Sequence, residues 1–123
     1  MGYGRRRPAG GLELRAWLFM RISGLFLVFL AIGHLAIMHL INSVDVVSYE
    51  FVAERFTTPF WRGYDLLMLW LAMLHGTNGI RTILDDYIHN PIWKKISKGV
   101  LHLVATTFLI LGTIVLIFFQ PRI

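Results

Sequence analysis

Three long apolar runs, separated by short polar stretches, leave this chain few ways to fold. They cover residues 18–41, 60–84 and 100–119, and about 20 helical residues at roughly 1.5 Å each cross the hydrocarbon layer of a bilayer. A bilayer interior admits only structures that satisfy their own backbone groups, and continuous apolar runs without alternation select helices over barrel strands. The expected fold is therefore an all-α integral membrane domain of three transmembrane helices. Three helices cannot enclose polar side chains on every face, so the spans are expected to form part of a multi-helix bundle completed by a partner chain.

Composition supports this class. Of 123 residues, 56% are hydrophobic, the formal net charge is +5 and cysteine is absent. Nucleic acid is not the expected partner of the basic excess, because most of it flanks apolar runs, where it acts as a topology signal. The missing cysteines exclude disulfides and thiolate ligation of iron–sulfur clusters by this chain. Any iron held here must be held by histidine.

Residues 1–14, with Arg5, Arg6, Arg7, Pro8 and several glycines, are expected to form a flexible cytoplasmic tail, and residues 15–123 the membrane domain. A secretory signal is disfavoured because the following run is too long and no small-residue cleavage site follows it. Arg5, Arg6, Arg7, Arg15, Lys94, Lys95 and Lys98 lie on one side of the spans, against Arg55, Arg62 and Arg122 on the other. The positive-inside rule then puts the N-terminus in the cytoplasm and the C-terminus outside, as in a multi-pass protein of the cell (inner) membrane.

In span one, Arg15 and Trp17 read as interfacial anchors, whereas Arg21 must snorkel or meet an anion. Ser23 and His34, 11 residues apart, share a helix face; His34 and His39 point about 140° apart. His39 falls near the outer surface, where an imidazole costs little. Between spans, Val44, Val47 and Phe51 at helical spacing suggest a short surface helix. Thr58-Pro59 reads as an N-cap with proline at the first helical position, and Trp61 and Tyr64 as an interfacial aromatic belt. Asn90-Pro91 reads as a helix stop within a second loop, residues 85–99.

Span two carries the chemistry. His75, Gly79, Thr82 and Asp86 fall at i, i+4, i+7 and i+11, giving one stripe an imidazole, a gap and a carboxylate suited to a flat cofactor. His75 lies roughly 16 Å deeper than Asp86. Polar groups at that depth are costly and mark function. The spacing alone leaves three uses for His75 open: ligation of a buried metal macrocycle, a bond to a carbonyl on a neighbouring helix, or a place in a proton relay.

Together these residues carry a resemblance. His75-x3-Gly79-x6-Asp86-Tyr87 resembles the second-span motif of the small membrane anchors of succinate dehydrogenase, respiratory complex II. Arg21-Ile-Ser23-Gly24 is similar to the Arg-x-Ser-Gly motif of the first span in such anchors. The strings Ala16-Trp-Leu-Phe-Met-Arg-Ile-Ser-Gly24, Gly33-His34-Leu35, Phe51-Val-Ala-Glu-Arg55, Pro59-Phe-Trp61 and Leu74-His-Gly-Thr-Asn-Gly-Ile-Arg-Thr82 look most like the D-type anchor of actinobacterial enzymes. The resemblance covers roughly residues 15–119.

It implies an anchor that binds haem b and helps form the site where a quinone, menaquinone or ubiquinone, takes electrons from an iron–sulfur subunit. His75 would be an axial ligand to the haem iron. Tyr87 would hydrogen-bond a quinone carbonyl, Asp86 would support proton delivery, Ser23 would join the quinone site, and Arg21 would lie beside haem propionates or quinone. His34 is the candidate ligand to a second haem, or else bonds a helix carbonyl. The implied partners are a flavoprotein with FAD, an iron–sulfur protein with its clusters and a second anchor, none of whose organic chemistry this chain performs. In the family the Arg-x-Ser-Gly motif often lies on the second anchor, which leaves open how the two chains divide the quinone site. The alternatives are the anchor of a fumarate reductase and a haem-free accessory membrane protein.

Overall fold

The computed structural model describes residues 10–120, and all of its regular structure is helical. Helix α1 spans Leu12–Leu35 and continues as a π-helical stretch over Ala36–Ile41. A single 3-10 turn at Val44–Val46 leads to the short α2, Tyr49–Thr57. Helices α3, Pro59–Tyr87, and α4, Pro91–Phe118, form a long hairpin. Residues 1–9, including Arg5, Arg6 and Arg7 of the expected tail, lie outside the described residues, as does Arg122. Residues 12–14 are not tail: they already belong to α1.

Two helices are long and apolar enough to cross a membrane, the α1 region at Leu14–Ile41 and α4. Helix α3 is as long, but Asp65, His75, Thr77 and Asn78 interrupt its apolar run. It packs on α1 on one side and on α4 on the other. Small residues set both approaches. A Cβ on Gly33 would come within 2.8 Å of Tyr64 Oη, and one on Gly112 within 2.7 Å of Leu69 Cδ2, so only glycine admits these side chains without a shift. Close backbone approach of this kind is how helices gain contact in a solvent as apolar as their own side chains.

Almost nothing is enclosed. Ala53, Phe56, Ser23 and Arg55 are the buried residues among those described, and large apolar side chains such as Phe29, Leu103 and Phe118 are exposed. A water-soluble protein of this size would hide such surface, whereas lipid and neighbouring spans cover it at no cost.

The helix ends correct two readings of the sequence. Asn90-Pro91 starts a helix instead of stopping one: Asn90 Oδ1 accepts from the backbone N–H groups of Ile92 at 2.9 Å and Trp93 at 3.3 Å, and Pro91 holds the first helical position. The cap brings the start of the last helix forward to Pro91 and shortens the second loop to residues 88–90. At the other end of α3, Thr58 makes no side-chain cap bond, so the start there rests on Pro59 alone. A short helix does form between the first two long helices, but later than the spacing of Val44, Val47 and Phe51 suggested: α2 takes in only Phe51 of the three and is capped by Ser48, whose hydroxyl accepts from Phe51 N at 3.3 Å.

Polar side chains tie the helix ends together. Lys94 and Lys98 of α4 reach Asp85 of α3, Lys98 most closely, and its hydrogen bond holds the Asp85 carboxyl below its ordinary value. At the opposite end, Arg62 of α3 donates to the carbonyls of Ile117 at 3.1 Å and Phe119 at 2.7 Å, and also to Phe56 of α2. One arginine thereby satisfies carbonyls that α4 leaves without intrahelical partners.

Candidate functional site

Of the side chains singled out in the sequence, the fold joins Ser23 and His75 directly. Ser23 Oγ lies 2.9 Å from His75 Nδ1, across the α1–α3 contact. Ser23 is 2% exposed, the most deeply buried side chain among the described residues. The next residue, Gly24, forms the seat of the ring: a Cβ there would lie 3.1 Å from His75 Cε1. The Ser-Gly pair of α1 thus supplies, in consecutive residues, a polar partner for one ring nitrogen and the space for the ring itself. Gly79, one turn further along α3, also faces α1, where a Cβ would meet Met20 Cε at 4.0 Å. The upper part of the expected cofactor stripe therefore rests on this chain's own α1. Thr82 and Asp86, its lower part, are exposed.

The ring's other nitrogen, Nε2, has no hydrogen-bond partner among the described residues. A half-buried imidazole with one nitrogen engaged and one free is the usual state of a histidine ligand. Among the described residues no three His, Cys, Asp or Glu side chains gather to hold a bare metal ion. One histidine suffices where a macrocycle fills the equatorial positions of iron, as in haem. The free ring nitrogen of His75 meets that donor requirement.

Arg21, Asp86 and Tyr87 are not joined to this pair. The Arg21 guanidinium lies 4.0 Å from the centre of the Trp17 ring, one turn back on α1, and meets no carboxylate among the described residues. Tyr87 is 80% exposed at the C-terminal end of α3, and Asp86 beside it is exposed and has no hydrogen-bond partner among the described residues. Asp85, its neighbour, takes the lysines instead. Arg81 of the same motif donates to Asn78 Oδ1 at 2.9 Å. Arg21, Asp86 and Tyr87 are thus presented outward, available to a ligand or a second chain.

His34 belongs to a separate polar cluster. Its Nδ1 lies 3.5 Å from Asp65 Oδ1, which also receives Arg55 NH2 at 3.0 Å. Arg55 is 8% exposed and stacks 4.2 Å from the centre of the Trp61 ring. Beside this cluster, Ile37, Asn42, Glu54, Arg55 and Trp61 border an open cavity of about 350 Å³. Eleven residues of helix separate Ser23 from His34, about 16 Å, so His34 and His75 cannot share one iron. Tyr64, expected as a belt residue, instead donates from its hydroxyl to the Leu30 carbonyl at 2.5 Å, and Trp61 supports Arg55.

Motif reading passed over Asp65. Its signal was a carboxylate at the head of an apolar run, which requires a partner at that depth. His102, an isolated imidazole on α4, was also unassigned, and it is exposed.

Over 75 residues the chain is 35% identical to a succinate dehydrogenase hydrophobic membrane anchor subunit of Archaeoglobus fulgidus, covering 61% of this chain and 63% of that protein. The similarity therefore spans a little under two thirds of that relative's length. A protein of the same description from Thermoplasma acidophilum is 27% identical over 93 residues, 76% of each chain. Residues 6–117 match the family described as succinate dehydrogenase/fumarate reductase transmembrane subunit. That match takes in every described helix, together with His75, Ser23, Gly24, Asp86 and Tyr87, and the chain belongs to this family of membrane subunits.

Proposed function

We propose that this chain is the membrane anchor of a succinate dehydrogenase, binding haem b through His75 and helping to form the quinone site that accepts electrons from an iron–sulfur subunit. The observation that supports the haem assignment is the seat of His75, with Nδ1 on Ser23 and Nε2 without a partner among the described residues. Family membership and the names of the two relatives support the anchor role. The exposed apolar flanks of α1 and α4 support assembly with a second anchor in the membrane.

In this reading α3 crosses the bilayer as the third span. Contacts support it along its length: Tyr64 reaches Leu30 near one end, His75 meets Ser23 midway, and Asp85 meets Lys98 at the other end. A helix packed lengthwise against two membrane-crossing neighbours shares their depth. Arg15 and the lysines of α4 then mark the cytoplasmic side, with Arg55 and Arg62 outside.

Each residue has a defined share of the work. His75 holds iron through Nε2, and the exposed Arg21 places positive charge where a propionate or quinone oxygen arrives. Tyr87 donates its hydroxyl to a quinone carbonyl, stabilising the negative charge that reduction puts on oxygen, while Asp86 holds a proton nearby. Bound haem supplies one-electron capacity beside the quinone site. Succinate oxidation itself belongs to the flavoprotein with FAD and the iron–sulfur protein with its clusters, and the anchor contributes binding and position.

The assembled complex, purified from membranes, tests the assignment. Reduced b-type absorption bands are expected in the wild type, and His75→Leu should abolish or greatly weaken them while the apolar replacement still inserts. Six-coordinate haem surviving in His75→Leu would refute ligation by this residue. The haem-free accessory reading draws on the same Ser23 bond, since it already satisfies one nitrogen of the ring. Absence of b-type bands from a complex with all its subunits would decide for it. A fumarate reductase anchor would use the same residues with electrons flowing the other way, as the family description allows.

A further inference from the structure

We propose that Ser23 acts on His75 and not on quinone, as a positioning residue that fixes the imidazole tautomer and makes Nε2 the ligating atom. The inference rests on the haem assignment above and deepens it. It starts from a count of protons. The Ser23 hydroxyl has one hydrogen and two possible acceptors: His75 Nδ1 at 2.9 Å and the Met20 carbonyl at 3.4 Å, three residues back on the same helix. Given to Nδ1, that hydrogen forces the ring proton onto Nε2, and no nitrogen is left for a metal. Given to the Met20 carbonyl, it frees a serine lone pair to accept Nδ1–H, and Nε2 keeps its lone pair. Only the second arrangement makes a ligand.

Three features of the site favour this arrangement. The serine is 2% exposed, so water does not compete for either bond. Its helix supplies the carbonyl that takes the hydroxyl hydrogen, a common arrangement for a serine one turn from a backbone acceptor. Gly24, having no Cβ, lets the ring lie against α1 with Cε1 nearest, close enough for Nδ1 to reach Ser23. An Nδ1–H that donates to a fixed acceptor makes Nε2 more basic and orients the ring, and loss of such a partner typically weakens metal affinity about 10- to 100-fold. Burial also removes Ser23 from the outward-facing end of α3, where Asp86 and Tyr87 stand exposed.

Ser23→Ala keeps the packing volume nearly unchanged and removes the acceptor. In the purified complex, haem transfer to excess apomyoglobin should then run about 10-fold faster or more. The midpoint potential of the haem should rise, because a less basic imidazole favours ferric iron less. Ser23→Cys retains a weak acceptor of similar size and should fall between wild type and Ser23→Ala. That graded order separates hydrogen bonding from packing, and it keeps the test decisive if one variant assembles poorly.

His75→Leu is measured in parallel. If it removes haem while Ser23→Ala leaves transfer rate and potential at wild-type values, the positioning role is overturned and the haem assignment stands. A Ser23→Ala phenotype confined to the KM for quinone would likewise overturn it and return Ser23 to the quinone site. If His75→Leu retains six-coordinate haem, the haem assignment fails and takes this inference with it.

Discussion

At the residue scale, the quinone end makes the most specific prediction. Tyr87 is 80% exposed and its hydroxyl has no hydrogen-bond partner among the described residues, so removing that hydroxyl breaks no contact seen there. A hydrogen bond to a ligand contributes about 0.5–1.5 kcal/mol, somewhat more where charge develops on the acceptor. Tyr87→Phe should therefore slow quinone reduction roughly 2- to 10-fold, with haem content and assembly intact. Succinate oxidation assayed with a dye that intercepts electrons before the membrane should keep its wild-type rate. Equal quinone reduction rates in both proteins across quinone concentrations would remove Tyr87 from the site. What the sequence offers at this end is a resemblance, His75-x3-Gly79-x6-Asp86-Tyr87, and the structure adds that Asp86 and Tyr87 are exposed. The pairing of His75 with Ser23 was not legible in the sequence. Helical periodicity gives the face a residue occupies, but the register of one helix against another is set by where glycines allow contact, here Gly24 and Gly33.

At the element scale, α2 is attached to α3 by a charge pair. Arg55 and Asp65 meet at 3.0 Å with side chains 6% and 12% exposed, and Trp61 covers the guanidinium. Breaking a buried pair by removing one partner strands the other charge, which costs about 3–5 kcal/mol, whereas replacing both with apolar groups is often neutral. Asp65→Asn should accordingly lower the thermal midpoint of the detergent-solubilised complex. The double change Arg55→Met with Asp65→Leu should recover most of that loss. A double variant less stable than either single variant would show that the cluster does more than hold α2. Of the three apolar residues whose spacing suggested a helix here, only Phe51 lies in α2, and the helix's anchor stayed hidden, because Arg55 and Asp65 are ten residues apart and belong to different helices. Asn90-Pro91 was misread for a local reason: such a dipeptide can follow the end of one helix or cap the start of the next, and spacing alone does not say which. Here α3 already ends at Tyr87, and the dipeptide starts α4.

At the scale of the whole molecule, the number of crossings decides where everything else lies. Helices α1 and α4 pass the test of length and apolarity, and α3 does not. Yet α3 carries His75, and its polar residues find partners within the chain: Asp65 on Arg55, His75 on Ser23, and Asp85 on Lys98. Partnered polar groups cost far less in a bilayer than their hydropathy suggests, because hydropathy counts each side chain as if it stood alone. A window average therefore under-reads a helix whose polar side chains are satisfied by its neighbours. The two counts make opposite predictions for topology. With three crossings, a reporter inserted at Ser43 reads outside, one at His89 reads inside, and one fused after Ile123 reads outside. With α3 lying on the surface, Ser43 and His89 would read on the same side and the C-terminal fusion would return to the cytoplasm. We expect the first pattern, because Lys94, Lys95 and Lys98 gather beside His89 while Arg55 and Arg62 lie at the far end of α3. The second pattern would place Asp86 and Tyr87 outside, away from any electron donor in the cytoplasm, and the quinone assignment would fall with it.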